Sequence, residues 1–190
     1  WASDHLWASG RTCYPSVMKR ILHDVSPRLV VFYLVLFPGA LIAGDDAPTI
    51  SRLAQLDAYW AEVSRSVREG DFEGYQATCH ERGVLVSGSK ESSIPLSKAL
   101  ARWKQGFLDT KSGKIKADVK FRFSQRFGDA TTAHETGIFL YSTVNSEGEA
   151  SQEYVHFQAL LIKEKGQWKI FMEYQKSKGT LAEWNALAAR

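Results

Sequence analysis

The chain has 190 residues and only two cysteines, Cys13 and Cys79. No CxxC pair is present, which excludes a disulfide framework, a zinc ribbon and a dithiol redox motif as organisers of the fold. Glycine-rich phosphate loops and serine-centred elbows are also missing, and no basic–aromatic ladder suggests nucleic acid. The sequence has no internal repeat and no low-complexity tract. A surplus of one charge is lacking too. The formal charge is +3, but residues 1–44 carry four basic and two acidic groups, leaving 20 basic against 19 acidic residues in the remainder. A mixed surface of that kind implies neither a polyanion nor an acidic lipid as partner. What is present is an ordinary apolar content with abundant aromatics, enough for one core of usual size.

The N-terminal quarter has its own pattern. Met18-Lys19-Arg20 opens a basic stretch that ends at Arg28, and the apolar run from Leu29 to Phe37 follows. Extended through Pro38-Gly39 to Ala43, the run is about 15 residues, suited to a signal-peptide core and short for a membrane-spanning helix. Ala43 and Gly44 offer a cleavage point before Asp45-Asp46. Residues 18–44 therefore read as a signal peptide, and residues 1–17 as an upstream extension outside the fold. The expected result is an exported protein, periplasmic or secreted, with no stable membrane span after cleavage. Residues 45–51 read as a linker and 52–190 as the folded domain.

Leu53, Leu56, Trp60, Val63 and Val67 recur at spacings of three and four, the stripe of an amphipathic helix. Gly70 ends it, and Asp71 can cap a short second helix whose face is Phe72, Tyr75 and Cys79. Gly83 to Gly88 reads as a short strand, followed by a polar loop. Pro95 starts a third helix bearing Leu96, Leu100, Trp103 and Phe107. From Ile115 the period becomes two, and turn residues at Gly128-Asp129, Asn145–Gly148 and Glu164–Gln167 separate four long strands. Thr180-Leu-Ala-Glu183 reads as the capping box of a C-terminal helix. Segregated helices and a hairpin-linked sheet make the fold class α+β. In the third long strand apolar residues occur at both parities, which predicts a sheet covered on both faces, one of them by a second subunit.

Three segments resemble the NTF2-like superfamily, and within it the SnoaL-like and DUF4440 group. Tyr59-Trp60-Ala61 with Glu69-Gly70-Asp71-Phe72 is similar to the link between that family's first two helices. His80 to Ser87 is similar to its entry into the first strand, and Gly166-Gln167-Trp168-Lys169-Ile170 to the start of its last strand. The likeness spans residues 52–178. It implies a cystatin-like cone: a strongly curved antiparallel sheet packed on three N-terminal helices, with a short C-terminal helix and a pocket between concave sheet and helices. Two departures stand out. Glu81-Arg82 replaces the family's acidic pair, and Met172 and Tyr174 stand near positions where it often carries histidine. The steroid-isomerising enzymes of this fold use a pocket carboxylate as base, and no residue here matches that base by motif.

Pocket candidates are polar residues set among apolar ones. On the strands His134, Glu135, Tyr141, His156, Gln158, Glu173 and Tyr174 qualify; Tyr59, Trp60 and His80 come from the helical side. The ligand-pocket set expected is Tyr59, Trp60, His134, Tyr141, His156, Gln158 and Tyr174. His156 with Tyr174 is the first acid–base candidate, because imidazole titrates near neutrality and the two lie on adjacent strands. His134 and Glu135 are neighbours on one strand and point to opposite faces. His80, His134 and His156 lack metal-ligand spacing, and no metal or cofactor is expected. Cys79 continues an apolar stripe and reads as core. The leading expectation is a homodimer that binds a small, partly apolar molecule in its cone. The alternatives are an isomerase or hydratase with a pocket base, and an association module without ligand.

Overall fold

The computed structural model describes residues 46–188, and the expected upstream extension, signal peptide and cleavage point lie outside them. Helix α1 spans Asp46–Glu69, so the residues expected as a linker are its first turns instead. Gly70 stops it at φ +66°, and a side chain there would collide with the backbone of Phe107 and Lys111 in the third helix. The Asp71 carboxylate then accepts from the Gly74 N–H at 2.9 Å and caps α2, Phe72–Ala77. The second helix is shorter than expected: Cys79 and His80 already belong to strand β1, Cys79–Ser87. The segment expected as a polar loop supplies β2, Ser92–Pro95, which pairs antiparallel with β1. Pro95 immediately precedes α3, Leu96–Lys111.

Four long strands follow: β3 (Ile115–Gly128), β4 (Thr132–Asn145), β5 (Ala150–Glu164) and β6 (Gln167–Lys178). The sheet order is β2-β1-β6-β5-β4-β3. All neighbours are antiparallel except β1 and β6, so the sheet is mixed rather than purely antiparallel. Register shifts occur between Phe123 and Gln125, between His156 and Phe157, and between Leu160 and Leu161. Each inserts a local kink that increases the bend, and the sheet curls around the helices without closing.

The concave face carries the core. Leu56, Tyr59, Trp60 and Val63 of α1 and Leu96, Leu100 and Phe107 of α3 meet Val119, Phe157, Ala159, Leu161 and Ile170 of the sheet. Trp60 sits at its centre, with its ring centroid 4.4 Å from that of Phe121 and 5.7 Å from that of Phe157. The fixing point is polar. Glu135 of β4 is wholly buried, its Oε1 accepts from Arg126 Nε at 2.5 Å, and its Oε2 accepts from the Trp60 indole N–H. Arg126 also bonds Asp57 of α1 at 2.5 Å, so one guanidinium ties helix and sheet together.

The convex face is covered at one end by helix α4, Leu181–Ala188. Its capping box forms as the sequence predicts: the Thr180 N–H donates to Glu183 at 2.8 Å and the Glu183 N–H to the Thr180 hydroxyl at 3.2 Å. Buried Trp184 lies under the Arg122 guanidinium, 4.1 Å from the ring centroid, and Arg122 donates to the Trp184 carbonyl at 2.7 Å. No described helix is long and apolar enough to cross a membrane.

Candidate functional site

Between the concave sheet and helices α1, α2 and α3 lies a cavity of about 520 Å³. This lies within the range of about 300–1,000 Å³ typical of small-molecule sites. Much of its wall is apolar, from Trp60, Val63, Trp103, Phe121, Phe139 and Phe157. The polar wall comes from Tyr59, Tyr75, Thr78, Cys79, Glu173 and Gln175. Exposed Ser89, Arg102, Tyr141, Glu153 and Lys178 form the rim.

Glu173 is the chemically distinctive group. It stands on β6 between Ala159 of β5 and Leu85 of β1, both on the concave face. Burial raises its carboxyl pKa, and the hydrogen bond from Gln175 Nε2, 2.7 Å long, opposes that rise only in part. Burial is also the main reason that the Tyr59 and Tyr75 phenols and the Cys79 thiol are pushed up, and the nearby Glu173 charge adds to the rise in each. For Cys79 the result is about 12, so the thiol stays protonated and unreactive at neutral pH. The Tyr59 hydroxyl donates to the Thr78 carbonyl at 3.2 Å. The Tyr75 hydroxyl has no hydrogen-bond partner among the described residues, while its ring packs on Phe107 and Trp103 with centroids 5.0 and 6.1 Å away.

Of the residues expected in the pocket, Tyr59, Trp60 and Tyr141 line the cavity, the last at its rim. His134, His156, Gln158 and Tyr174 do not, and their expected place is corrected. On β4 the inward residues are Ala133, Glu135, Phe139 and Tyr141, so His134 faces outward. On β5 they are Val155, Phe157, Ala159 and Leu161, so His156 and Gln158 face outward. His156 lies beside α4, its Nε2 3.2 Å from Glu183 Oε1. Gln158 is in register with Tyr174. The His156–Tyr174 acid–base pair therefore has no cavity to act in. The cause on β6 is the register shift near Leu160 and Leu161. Trp168 and Ile170 point inward, and strict alternation would continue with Met172 and Tyr174; the shift hands the inward positions to Glu173 and Gln175 instead. Tyr75 was legible only as a helix-stripe residue. Nothing in its sequence neighbourhood distinguishes a phenol that opens on a cavity from one that packs.

Among the described residues no group of three or more histidine, cysteine, aspartate or glutamate side chains could hold a metal ion.

No family model matches the chain, and no curated protein does. Solved structures do match. A single-site variant of the Rv3472 protein of Mycobacterium tuberculosis, described as of unknown function, is 18% identical with a TM-score of 0.58, over 73% of this chain and 78% of that one. An NTF-2 like protein of unknown function from Shewanella oneidensis MR-1 is 16% identical with a TM-score of 0.51, covering 65% and 97%. A ketosteroid isomerase-like protein from Erwinia carotovora atroseptica is 18% identical with a TM-score of 0.50, covering 68% and 97%. At such identities the likeness defines the fold: the chain is an α+β protein with the NTF2-like cone. One fold of this kind hosts many functions, so the site has to carry the rest.

Proposed function

We propose that the protein binds a small, partly apolar molecule in its cone, with Glu173, Gln175 and Tyr75 as the polar anchor. The observation that carries this reading is a cavity of about 520 Å³ with a mainly apolar, aromatic wall and one desolvated carboxylate set in it. Pockets built for small molecules combine those features. A thermal-shift screen of small aromatic and alicyclic compounds against the full chain tests it. Hits should be lost when the cavity is filled by Val155→Trp. A screen without hits, together with a crystal structure whose cone is filled by its own side chains, would refute it.

A second reading is favoured by the same carboxylate. A glutamate whose pKa is raised by burial is suited to take a proton from carbon and return it elsewhere, with a phenol such as Tyr75 donating to the developing oxyanion. In this isomerase- or hydratase-type reading Glu173 takes the role first assigned to His156. Glu173→Gln separates the two readings: it should abolish turnover of a substrate that the variant still binds.

Two expectations outside the cavity complete the proposal. The chain is exported, and the mature protein begins after Ala43 or Gly44; N-terminal sequencing of the exported form checks this. The protein is a homodimer through the part of the convex face that α4 leaves uncovered, where half-buried Val84, Leu140, Leu160, Ile162 and Met172 are set on neighbouring strands. Light scattering at micromolar concentration tests it, and a monomer would count against it.

A further inference from the structure

The ligand-binding reading leaves open what kind of molecule the cone selects, and the charges around Glu173 narrow the choice. No arginine, lysine or histidine side chain forms an ion pair with this carboxylate among the described residues. Its one hydrogen bond comes from the neutral Gln175 amide. The cations that line the cavity, Arg102 and Lys178, are exposed at the rim, where water and salt screen them and Glu153 shares the opening. Glu135, which is wholly buried where Glu173 is half-buried at the cavity wall, shows the contrast: it is matched by Arg126 and by the Trp60 indole. Buried charges are ordinarily paired. Half-buried Glu173 has no ion-pair partner among the described residues, and it lines an open cavity.

The rings around it suit the same conclusion. Tyr75 is packed with Phe107 and Trp103, and Tyr59 stands edge-on to Trp60 with centroids 5.0 Å apart. All five line the cavity. Aromatic faces attract cations, and more strongly where water is excluded. A carboxylate within an aromatic wall repels anions, and a neutral ligand can donate a hydrogen bond to it but brings no opposite charge. From this arrangement we propose that the cone selects a small protonated amine carried on an apolar body, the ammonium group against the Glu173 carboxylate and the free Tyr75 hydroxyl, the body among Trp60, Trp103 and Phe107. The inference rests on the ligand-binding reading and specifies its ligand class. Bound ammonium would supply the charge partner that the protein itself does not, and would hold Glu173 ionised in spite of its burial.

The test uses titration calorimetry on the full chain with three probes that share one body: 2-phenylethylamine, 2-phenylethanol and 3-phenylpropionate. The amine should bind at least about tenfold more tightly than the alcohol, equivalent to about 1.4 kcal/mol, with the carboxylate weakest. In Glu173→Gln, checked for folding by circular dichroism, the amine should lose that advantage and the carboxylate should lose its handicap. If the variant fails to fold, the ranking of the three probes on the unaltered protein decides. Equal binding of amine and alcohol, or an amine preference that survives in Glu173→Gln, overturns the amine proposal and leaves the cone as a binding site. Tighter binding of the alcohol than of the amine does the same, and indicates a protonated Glu173 acting as donor. No binding of any probe at about 10 mM, well above a millimolar Kd, overturns the amine proposal, while the ligand-binding reading stands or falls by the wider screen.

Discussion

Replacing Arg126 by methionine should be among the most damaging single substitutions in this domain. Glu135 is fully buried, and Arg126 is the charged group that meets it, at 2.5 Å, across a directly opposed β3–β4 pair. Methionine retains much of the apolar stem that packs against Phe123, whose ring centroid lies 4.4 Å from the guanidinium. It removes the charge, leaving a buried carboxylate with the Trp60 indole as its remaining donor, and it also cuts the tie to Asp57 of α1. Breaking a buried pair from one side costs about 3–5 kcal/mol, since the abandoned charge keeps its desolvation penalty. The exposed Asp57 contact adds little. For a domain of this size the loss corresponds to a fall in Tm of roughly 10–15 °C. Urea unfolding followed by circular dichroism measures it. The double variant Arg126→Met/Glu135→Gln removes the stranded charge while keeping an acceptor for the indole, and should recover about 2 kcal/mol of the loss. A single variant within about 1 kcal/mol of the unaltered protein, or a double variant no better than the single one, would refute the reasoning.

Other outcomes follow from the same structure. Glu173→Gln should raise stability at neutral pH. Because the folded pKa of Glu173 lies above its ordinary 4.5, the folded state holds the proton more tightly. The unaltered protein should therefore gain stability relative to the variant as pH falls from the raised pKa toward 4.5, and parallel melting curves across that window would contradict this. Cys79, with its thiol pushed up to about 12, should resist a maleimide reagent at pH 8 in the folded protein and react at the rate of a free cysteine in denaturant. Trp184→Ala should cost about 3–5 kcal/mol if α4 is held by that ring, read as a lower urea midpoint. Gly70→Ala should destabilise by more than the roughly 1 kcal/mol of a simple propensity change, since φ is +66° and Phe107 and Lys111 backbone atoms occupy the space; an unchanged Tm would show that the α1–α2 corner can relax.

Much of the fold was legible because it rests on local periodicity. The stripe of α1, the stop at Gly70, the Asp71 cap, the period-two strands and the Thr180–Glu183 capping box each depend on residues within one or two turns of each other. Two elements were hidden. Strand β2 has four residues with no alternating pattern, and it is a strand because β1 offers an edge to pair with. The parallel pairing of β1 with β6 joins segments some ninety positions apart, and no local signal carries it.

The site divides along the same line. From the sequence came the aromatic and polar residues of α1 and the long strands, and its likeness to the NTF2-like superfamily implied a pocket for them to surround; Tyr59, Trp60 and Tyr141 do line one. It also provided the alternation of Val155, Phe157, Ala159 and Leu161 that sends His156 outward, although apolar Leu160 and Ile162 on the other face masked it. The tertiary structure alone decided which carboxylate enters the cavity. On β6 that choice turns on one register shift against β5, which flips the alternation after Ile170 and brings Glu173 inside in place of Tyr174. A strand's sequence specifies that neighbours point to opposite faces; where an extra residue interrupts the ladder is settled by the partner strand and by the curvature that the helices impose.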